Sequence, residues 1–175
     1  MAADTLTTLA TLAGTRLKSN HMKLATAESC TGGWVAQAVT AIAGSSDWFE
    51  CGYVTYSNES KQALLGVGNE TLARHGAVSE ETAREMAAGV QRGYAAAAVH
   101  SFGVLAVAVT GVAGPSGGSA DKPVGMVCFA WVKTGGALRS ETRHFEGDRQ
   151  SVRRQSVIRA LQGVIETLDE AELQG

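Results

Sequence analysis

Residues capable of nucleophilic chemistry are concentrated in one short segment, Lys23–Gly33, with the sequence KLATAESCTGG. A short apolar run, Leu24–Ala27, predicts a strand, and an apolar pattern of helical period follows the two glycines. Ser29 and Cys30 therefore lie at a predicted strand-to-helix junction, where unpaired backbone N–H groups carry partial positive charge. Such groups can stabilise a phosphate or a developing oxyanion. The segment is thus a candidate reactive site.

A serine hydroxyl is a weak nucleophile until a base takes its proton. No histidine lies in the predicted loops near Ser29, so a Ser-His-Asp triad has no support; the histidines are His21, His75, His100 and His144. Lys61 is the better candidate base, because a helix predicted to start at Ser57-Asn58 places it in the first turn. Tyr56 can relay a proton between serine and lysine or orient the lysine. The oxyanion would face the N–H groups of the helix that follows Ser29.

The lysine needs a low pKa to act as a base. Moving it from about 10.4 to 7–8 requires roughly 4 kcal/mol. A helix N-terminus supplies only about 0.3–1 kcal/mol of this. Desolvation of Lys61 must therefore supply most of the shift.

A second candidate site element is the glycine-rich segment Thr110–Pro123, TGVAGPSGGSADKP. Glycines let the backbone approach an oxygen-rich ligand, and successive N–H groups can form an anion-binding nest. The segment matches neither the Walker A motif nor GxGxxG. Arg149 is a candidate phosphate ligand, ahead of Arg153 and Arg154.

The elements that must position these residues alternate between helix and strand, and a hairpin comes late. Helices are predicted near 4–20, 31–42, 58–65, 70–75, 79–98 and 148–168, and strands near 24–27, 49–56, 104–110, 124–133 and 138–146. This order predicts an α/β fold, a three-layer α/β/α sandwich with a mixed, mostly parallel sheet. The loops after Glu28, Tyr56 and Thr110 would then converge at the carboxyl edge, where such sheets bind ligands.

Composition narrows the possible classes of protein. The 175 residues suit one domain spanning 1–175, and 45% hydrophobic with 18% charged residues is globular composition. A net charge of −2 predicts no nucleic-acid partner, and no apolar run is long enough to cross a membrane. The N-terminus is a poor secretory signal, so we expect a cytoplasmic protein. Cys30, Cys51 and Cys128 show no metal-ligand spacing, and we expect reduced thiols.

Five separated motifs, in order, resemble the CinA C-terminal domain family. They are AESCTGG, GxVTYSNExK (Gly52 to Lys61), HGAVSEE (His75 to Glu81), TGVAGPSGGSADKPVG (Thr110 to Gly125) and FEGDRQSVRRQ (Phe145 to Gln155). The likeness runs from about Leu6 to Leu168. The chain resembles the stand-alone form of the family, which lacks the additional N-terminal domain of some members.

The resemblance implies nicotinamide-nucleotide amidohydrolase activity, the conversion of nicotinamide mononucleotide to nicotinate mononucleotide and ammonia. It implies no metal, no cofactor and a homodimer or higher homo-oligomer. Its catalytic set falls on Ser29, Tyr56 and Lys61. We expect substrate binding by Glu28, Cys30, Thr31, Gly32, Gly33, Ser57, Asn58, Thr110, Gly111, Gly114, Gly117, Gly118 and Arg149.

Several alternatives stay open at this point. Ser29 can be a helix cap, with Cys30 as the nucleophile, and Lys61 can be a solvated surface lysine. Glu28 can tune the site or cap a helix. The whole chain can be a non-catalytic nucleotide-binding or regulatory module of the competence/damage-inducible type. A DNA-associated role is a third possibility, against which the acidic net charge argues.

Overall fold

The computed structural model describes residues 4–97 and 101–172, which form six α-helices and five strands. In chain order these are α1 (Thr5–Ser19), β1 (Met22–Glu28), α2 (Trp34–Thr40), β2 (Phe49–Val54), α3 (Asn58–Leu65), α4 (Asn69–His75), α5 (Glu80–Ala97), β3 (Gly103–Gly111), β4 (Met126–Lys133), β5 (Arg139–His144) and α6 (Arg149–Glu172). The predicted last residue of the alanine-rich helix, Ala98, lies outside the described residues, as does His100. No helix among those described is long and apolar enough to cross a bilayer.

The five strands form one mixed sheet in the order β2-β1-β3-β4-β5. Strand β1 pairs in parallel with both β2 and β3, whereas β4 is antiparallel to both β3 and β5. Four strands therefore run in one direction and β4 runs in the other. The mixed α/β sheet with its late hairpin confirms the fold class predicted from the order of elements.

Two hydrophobic cores lie on opposite faces of this sheet. In β3, Leu105, Val107 and Val109 pack toward α1, α2 and α6, and the alternate residues Ala106 and Ala108 pack toward α3, α4 and α5. Side chains alternate between the faces of a strand, so a central strand covered by helices on both sides must be apolar throughout. The unbroken apolar run of β3 thus reflects its position in the middle layer.

Helix α6 is fixed against β4 by a close contact between a tryptophan and a glycine. A Cβ atom added to Gly163 would lie 2.1 Å from Cε2 of Trp131, so only glycine allows this approach. The indole Nε1 of Trp131 donates to the carbonyl of Ala160 at 3.0 Å. This packing orients α6, whose first two turns carry Arg149 and Arg153 to the carboxyl edge of the sheet.

Several predicted boundaries differ from the structure, among them those of α2, β2 and β4. Helix α2 starts at Trp34 rather than Thr31, because Gly32 and Gly33 have φ of 60° and 93° and form a turn. Strand β2 ends at Val54, two residues before Tyr56, so that the chain leaves the sheet to reach α3. Strand β4 begins at Met126, after Gly125 turns the chain with φ of 93°.

Candidate active site

The turn that carries Ser29 is held from both neighbouring strands. The N–H of Ser29 donates to the carbonyl of Val109 at 2.9 Å, and the carbonyl of Glu28 accepts from the N–H of Thr55 at 2.8 Å. The carbonyl of Ser29 in turn accepts from the N–H of Gly32 at 2.9 Å. Ser29 is therefore placed at the centre of the carboxyl edge, and its side chain is 9% exposed.

Glu28 caps α2 and does not line the site cavity. Its fully buried carboxylate accepts from the hydroxyl of Thr31 at 2.7 Å and from the N–H groups of Val35 at 2.8 Å and Ala36 at 3.0 Å. These N–H groups belong to the first turn of α2, and an anion is favoured at that end of a helix. Among the helix N–H groups predicted to face the oxyanion, these two are not available, because Glu28 already occupies them.

Lys61 reaches Ser29 from the neighbouring β–α unit. Ser57 caps α3 in a reciprocal capping box with Ser60, which places Lys61 in the first helical turn as predicted. The Nζ atom of Lys61 lies 3.0 Å from Oγ of Ser29 and donates to the carbonyl of Thr55 at 2.7 Å. Because Lys61 is only 1% exposed, the alternative of a solvated surface lysine is wrong.

Burial lowers the pKa of the Lys61 ammonium below its ordinary value. Among the residues that the structure describes, no carboxylate forms an ion pair with it. A buried ammonium without a counter-ion favours loss of its proton. The neutral amine can still donate to Thr55 while its lone pair accepts the Ser29 hydroxyl proton. This arrangement fits a serine–base pair.

The neighbouring thiol is poorly suited to be the nucleophile. Burial raises the pKa of Cys30 to about 12. The thiolate, rather than the thiol, is the reactive form of cysteine. Near neutral pH Cys30 stays protonated, and the geometry favours Ser29.

Tyr56 and Arg149 meet at the rim of the site. The Tyr56 side chain is 63% exposed, and its hydroxyl accepts from Nη2 of Arg149 at 3.1 Å. The other terminal nitrogen of Arg149 donates to the carbonyl of Gly114 at 2.8 Å. Since Ser29 and Lys61 are already in direct contact, the arrangement needs no proton relay through Tyr56.

These groups enclose a cavity of about 260 Å³ at the carboxyl edge. Nine predicted site residues line it: Ser29, Cys30, Tyr56, Lys61, Thr110, Gly111, Gly114, Gly117 and Arg149. Five further lining residues were not predicted individually: Ala77 and Val78, and Val112, Ala113 and Ser116 of the glycine-rich segment Thr110–Pro123. The HGAVSEE motif contains two of these, and the hydroxyl of Thr110 donates to the carbonyl of Ala77 at 2.7 Å. That motif was the sequence signal that could have identified Ala77 and Val78 as site residues.

The other predicted binding residues lie outside the lining of this cavity. They are Glu28, Thr31, Gly32, Gly33, Ser57, Asn58 and Gly118. The Thr31 hydroxyl is bound to Glu28, and the Ser57 hydroxyl caps α3. Gly32 and Gly33 border a separate, open cavity beside Arg153. Within residues 4–97 and 101–172, no group of three or more His, Cys, Asp or Glu side chains is placed to hold a metal ion.

A buried serine–lysine pair at the carboxyl edge of a mixed α/β sheet, beside a glycine-rich loop, is an arrangement suited to acyl transfer. The chain belongs to the CinA C-terminal domain family, whose model matches residues 6–168. It is 50% identical over 162 residues to the nicotinamide-nucleotide amidohydrolase PncC of Escherichia coli (strain K12), which covers 93% of this chain and 94% of the relative.

Other comparisons agree. The chain is 50% identical to the nicotinamide-nucleotide amidohydrolase PncC of Pseudomonas putida, across 93% of this chain and 97% of that protein. The crystal structure of the competence/damage inducible protein CihA from Agrobacterium tumefaciens superposes with a TM-score of 0.86 at 40% identity. That match covers 97% of this chain and 98% of the other. The family predicted from the five motifs is confirmed.

Proposed function

We propose that this protein is a nicotinamide-nucleotide amidohydrolase that converts nicotinamide mononucleotide and water to nicotinate mononucleotide and ammonia. The observation that carries the proposal is the 3.0 Å contact between Lys61 Nζ and Ser29 Oγ, both of which line the cavity. The two curated relatives at 50% identity, named as enzymes of this activity, support the choice of substrate.

The reaction divides into two acyl transfers. Ser29 Oγ attacks the carboxamide carbon while its proton passes to the neutral amine of Lys61. The resulting ammonium then protonates the departing nitrogen, so that ammonia leaves and an ester joins Ser29 to the pyridine carbonyl. Water adds to this ester with Lys61 again accepting a proton, and the carboxylate is released as Ser29 regains its hydrogen.

Arg149 is the proposed ligand of the 5′-phosphate. The cationic side chains of the cavity lining are Arg149 and Lys61. Because Lys61 is buried beside Ser29, Arg149 is the one available to the phosphate. The guanidinium of Arg149 is held at the rim by Gly114 and Tyr56, within the glycine-rich wall. In this proposal Tyr56 orients Arg149, and the nicotinamide ring points inward to Ser29.

Ammonia release from nicotinamide mononucleotide tests the proposal directly. We expect turnover by the wild type and a loss on the order of 10⁴-fold or more in Ser29→Ala and Lys61→Ala. Ser46→Ala, in an exposed turn away from the cavity, is the matched control and should retain activity. Tight binding of the mononucleotide without turnover by the wild type would instead support the non-catalytic nucleotide-binding module.

We also propose that residues 1–175 work as a single catalytic domain, in the cytoplasm, as a homodimer or higher homo-oligomer. The family match across 6–168 supports the single domain. Light scattering on the purified protein would test the assembly, and a monomeric mass at micromolar concentration would contradict it. Cell fractionation would test the compartment, and recovery with the membrane fraction would contradict it.

A further inference from the structure

Arg153 contacts the nucleophile turn from outside the catalytic cavity. Its Nε donates to the carbonyl of Cys30 at 3.1 Å, and its Nη2 donates to the carbonyl of Thr31 at 3.0 Å. The guanidinium also lies over the ring of Trp34, 5.4 Å from the ring centroid. Arg153 borders the open cavity next to Gly32 and is absent from the lining around Ser29. One side chain thus fixes two successive peptide groups directly after the nucleophile.

This contact determines where the peptide N–H groups point. In a trans peptide the C=O and N–H vectors are antiparallel. Because the carbonyl of Cys30 faces Arg153, the N–H of Thr31 in the same peptide group faces away from it. The carbonyl of Ser29 is likewise turned toward Gly32, so the N–H of Cys30 points out of the turn. In the described part of the chain, neither N–H has an oxygen acceptor.

Three neighbouring donors are already used. Glu28 binds the N–H groups of Val35 and Ala36, and the N–H of Ser29 is bound by Val109. Cys30 lines the cavity beside Ser29 and Thr31 does not, so the N–H of Cys30 is the donor that we expect to stabilise negative charge there. Preorganised donors of this kind commonly supply a large share of the rate enhancement in acyl transfer.

We propose that Arg153 is a positioning residue that holds the Ser29–Gly32 turn so that the N–H of Cys30 donates to the oxyanion. The inference rests on the proposed amidohydrolase function for its substrate. Arg153 acts through the two carbonyls and does not touch the nucleotide. Its positive charge also polarises the Thr31–Gly32 peptide, which strengthens the hydrogen bond from the N–H of Gly32 to the carbonyl of Ser29 and so holds the N–H of Cys30 in place.

The test compares Arg153→Ala with Arg154→Ala, using nicotinamide mononucleotide. Arg154 is the adjacent arginine on α6 and pairs instead with Asp4 at the surface. We expect Arg153→Ala to lower kcat on the order of 10²-fold with KM within about threefold of wild type. Arg154→Ala should change neither constant appreciably. Free guanidinium at tens of millimolar should raise the kcat of Arg153→Ala at least about tenfold and should not raise the kcat of Arg154→Ala.

Three outcomes would overturn the proposal. One is an unchanged kcat in Arg153→Ala. Another is a rise in KM at constant kcat, which would make Arg153 a substrate ligand. The third is a loss that guanidinium does not restore. If Arg153→Ala does not fold, Arg153→Lys provides the measurement, because one ammonium cannot bridge both carbonyls in the fork geometry of arginine. Wild-type kcat in that variant would likewise overturn the proposal.

A substrate-independent readout separates this inference from the proposed function. The rate of Ser29 labelling by a fluorophosphonate depends on the nucleophile and on stabilisation of the phosphoryl oxygen. We expect Arg153→Ala to label on the order of 10²-fold more slowly than wild type and Arg154→Ala to label normally. If the wild type labels but releases no ammonia from the mononucleotide, the proposed substrate fails while Arg153 is still tested. Equal labelling of Arg153→Ala and wild type would refute the positioning role.

Discussion

The amine of Lys61 lies 3.0 Å from the hydroxyl of Ser29, although 32 positions separate the two residues in the chain. They come from successive β–α units, with Ser29 after β1 and Lys61 in the first turn of α3. The carbonyl of Thr55 holds the amine at 2.7 Å, and no described carboxylate pairs with it. Burial without a counter-charge favours the neutral amine that the proposed mechanism requires of Lys61.

The pH dependence of activity should report the lowered pKa of Lys61. Below that pKa the ammonium has no lone pair to take the serine proton, so kcat/KM should fall about tenfold per pH unit. Above it, activity should reach a plateau at a pH below the pKa of an ordinary lysine. A steady-state profile in Tyr56→Phe should show the same acid limb, because the contact with Ser29 is direct. Displacement of that limb in Tyr56→Phe would indicate a relay through the phenol.

Replacing Lys61 by methionine should abolish activity and stabilise the fold by about 1 kcal/mol near pH 7, because a desolvated amine is removed from the core. The folded-state pKa is below the unfolded value, so the unfolded chain binds the proton more strongly. The stabilisation should therefore increase as pH falls below the unfolded pKa, and level off below the folded pKa. Urea unfolding of Lys61→Met at several pH values measures this. Lys18→Met, at an exposed position of α1, should change stability by less than about 0.5 kcal/mol at any pH.

Arg149→Ala should weaken binding of the mononucleotide without disabling the nucleophile. A charged hydrogen bond to phosphate contributes about 1.5–3 kcal/mol, so KM should rise about 10- to 100-fold. Nicotinamide riboside lacks the phosphate and is the matched substrate. Steady-state kinetics on both compounds should show the increase for the mononucleotide alone, and an equal increase for the riboside would assign Arg149 a different role.

A cluster of charges remote from the site should control acid stability. Partial burial raises the pKa of Glu141, but hydrogen bonds from Arg159 and Arg143 outweigh it and lower the pKa to about 2. The pairing therefore stabilises the fold above the unfolded pKa, and the stabilisation is lost as pH falls toward about 2. Glu141→Gln should cost on the order of 1–2 kcal/mol near neutral pH, allowing for solvent screening, and nearly nothing near pH 2.

Urea unfolding from about pH 7 to about pH 2 measures this effect. Glu70→Gln removes an exposed pair with Arg74, at 3.3 Å on α4, and is the control. Its effect should be small throughout that range. A Glu141→Gln cost that stayed constant down to pH 2 would contradict the assignment.

The order of elements could be predicted from sequence because it depends on local periodicity and capping. The apolar run of β3 indicated a strand covered on both faces, and Ser57 marked the start of α3. With parallel strands, those two features were enough to bring Ser29 and Lys61 to one edge. The convergence of their loops follows from topology and needs no side-chain detail.

The direction of individual side chains could not be predicted in this way. Glu28 follows an apolar strand, and periodicity does not show whether its carboxylate enters the cavity or turns back to α2. The contact of Arg153 with the nucleophile turn depends on how α6 packs, which the close approach of Trp131 and Gly163 determines. Ala77 and Val78 were overlooked because small apolar residues in a loop carry no chemical signature. The direction of Glu28, the contact of Arg153 and the position of the Ala77–Val78 loop all depend on tertiary packing.

Strand β2 lies at the edge of the sheet and, among the strands of the described residues, pairs with β1 alone. Thr55 and α3 follow β2 directly, so the pairing of β1 with β2 keeps Lys61 beside Ser29. Edge strands are prone to open before the centre of a sheet. Mild heating that separates β2 from β1 should abolish activity while most of the secondary structure persists. Activity should then be lost at a lower temperature than the secondary structure, because activity depends on the pairing of the edge strand β2.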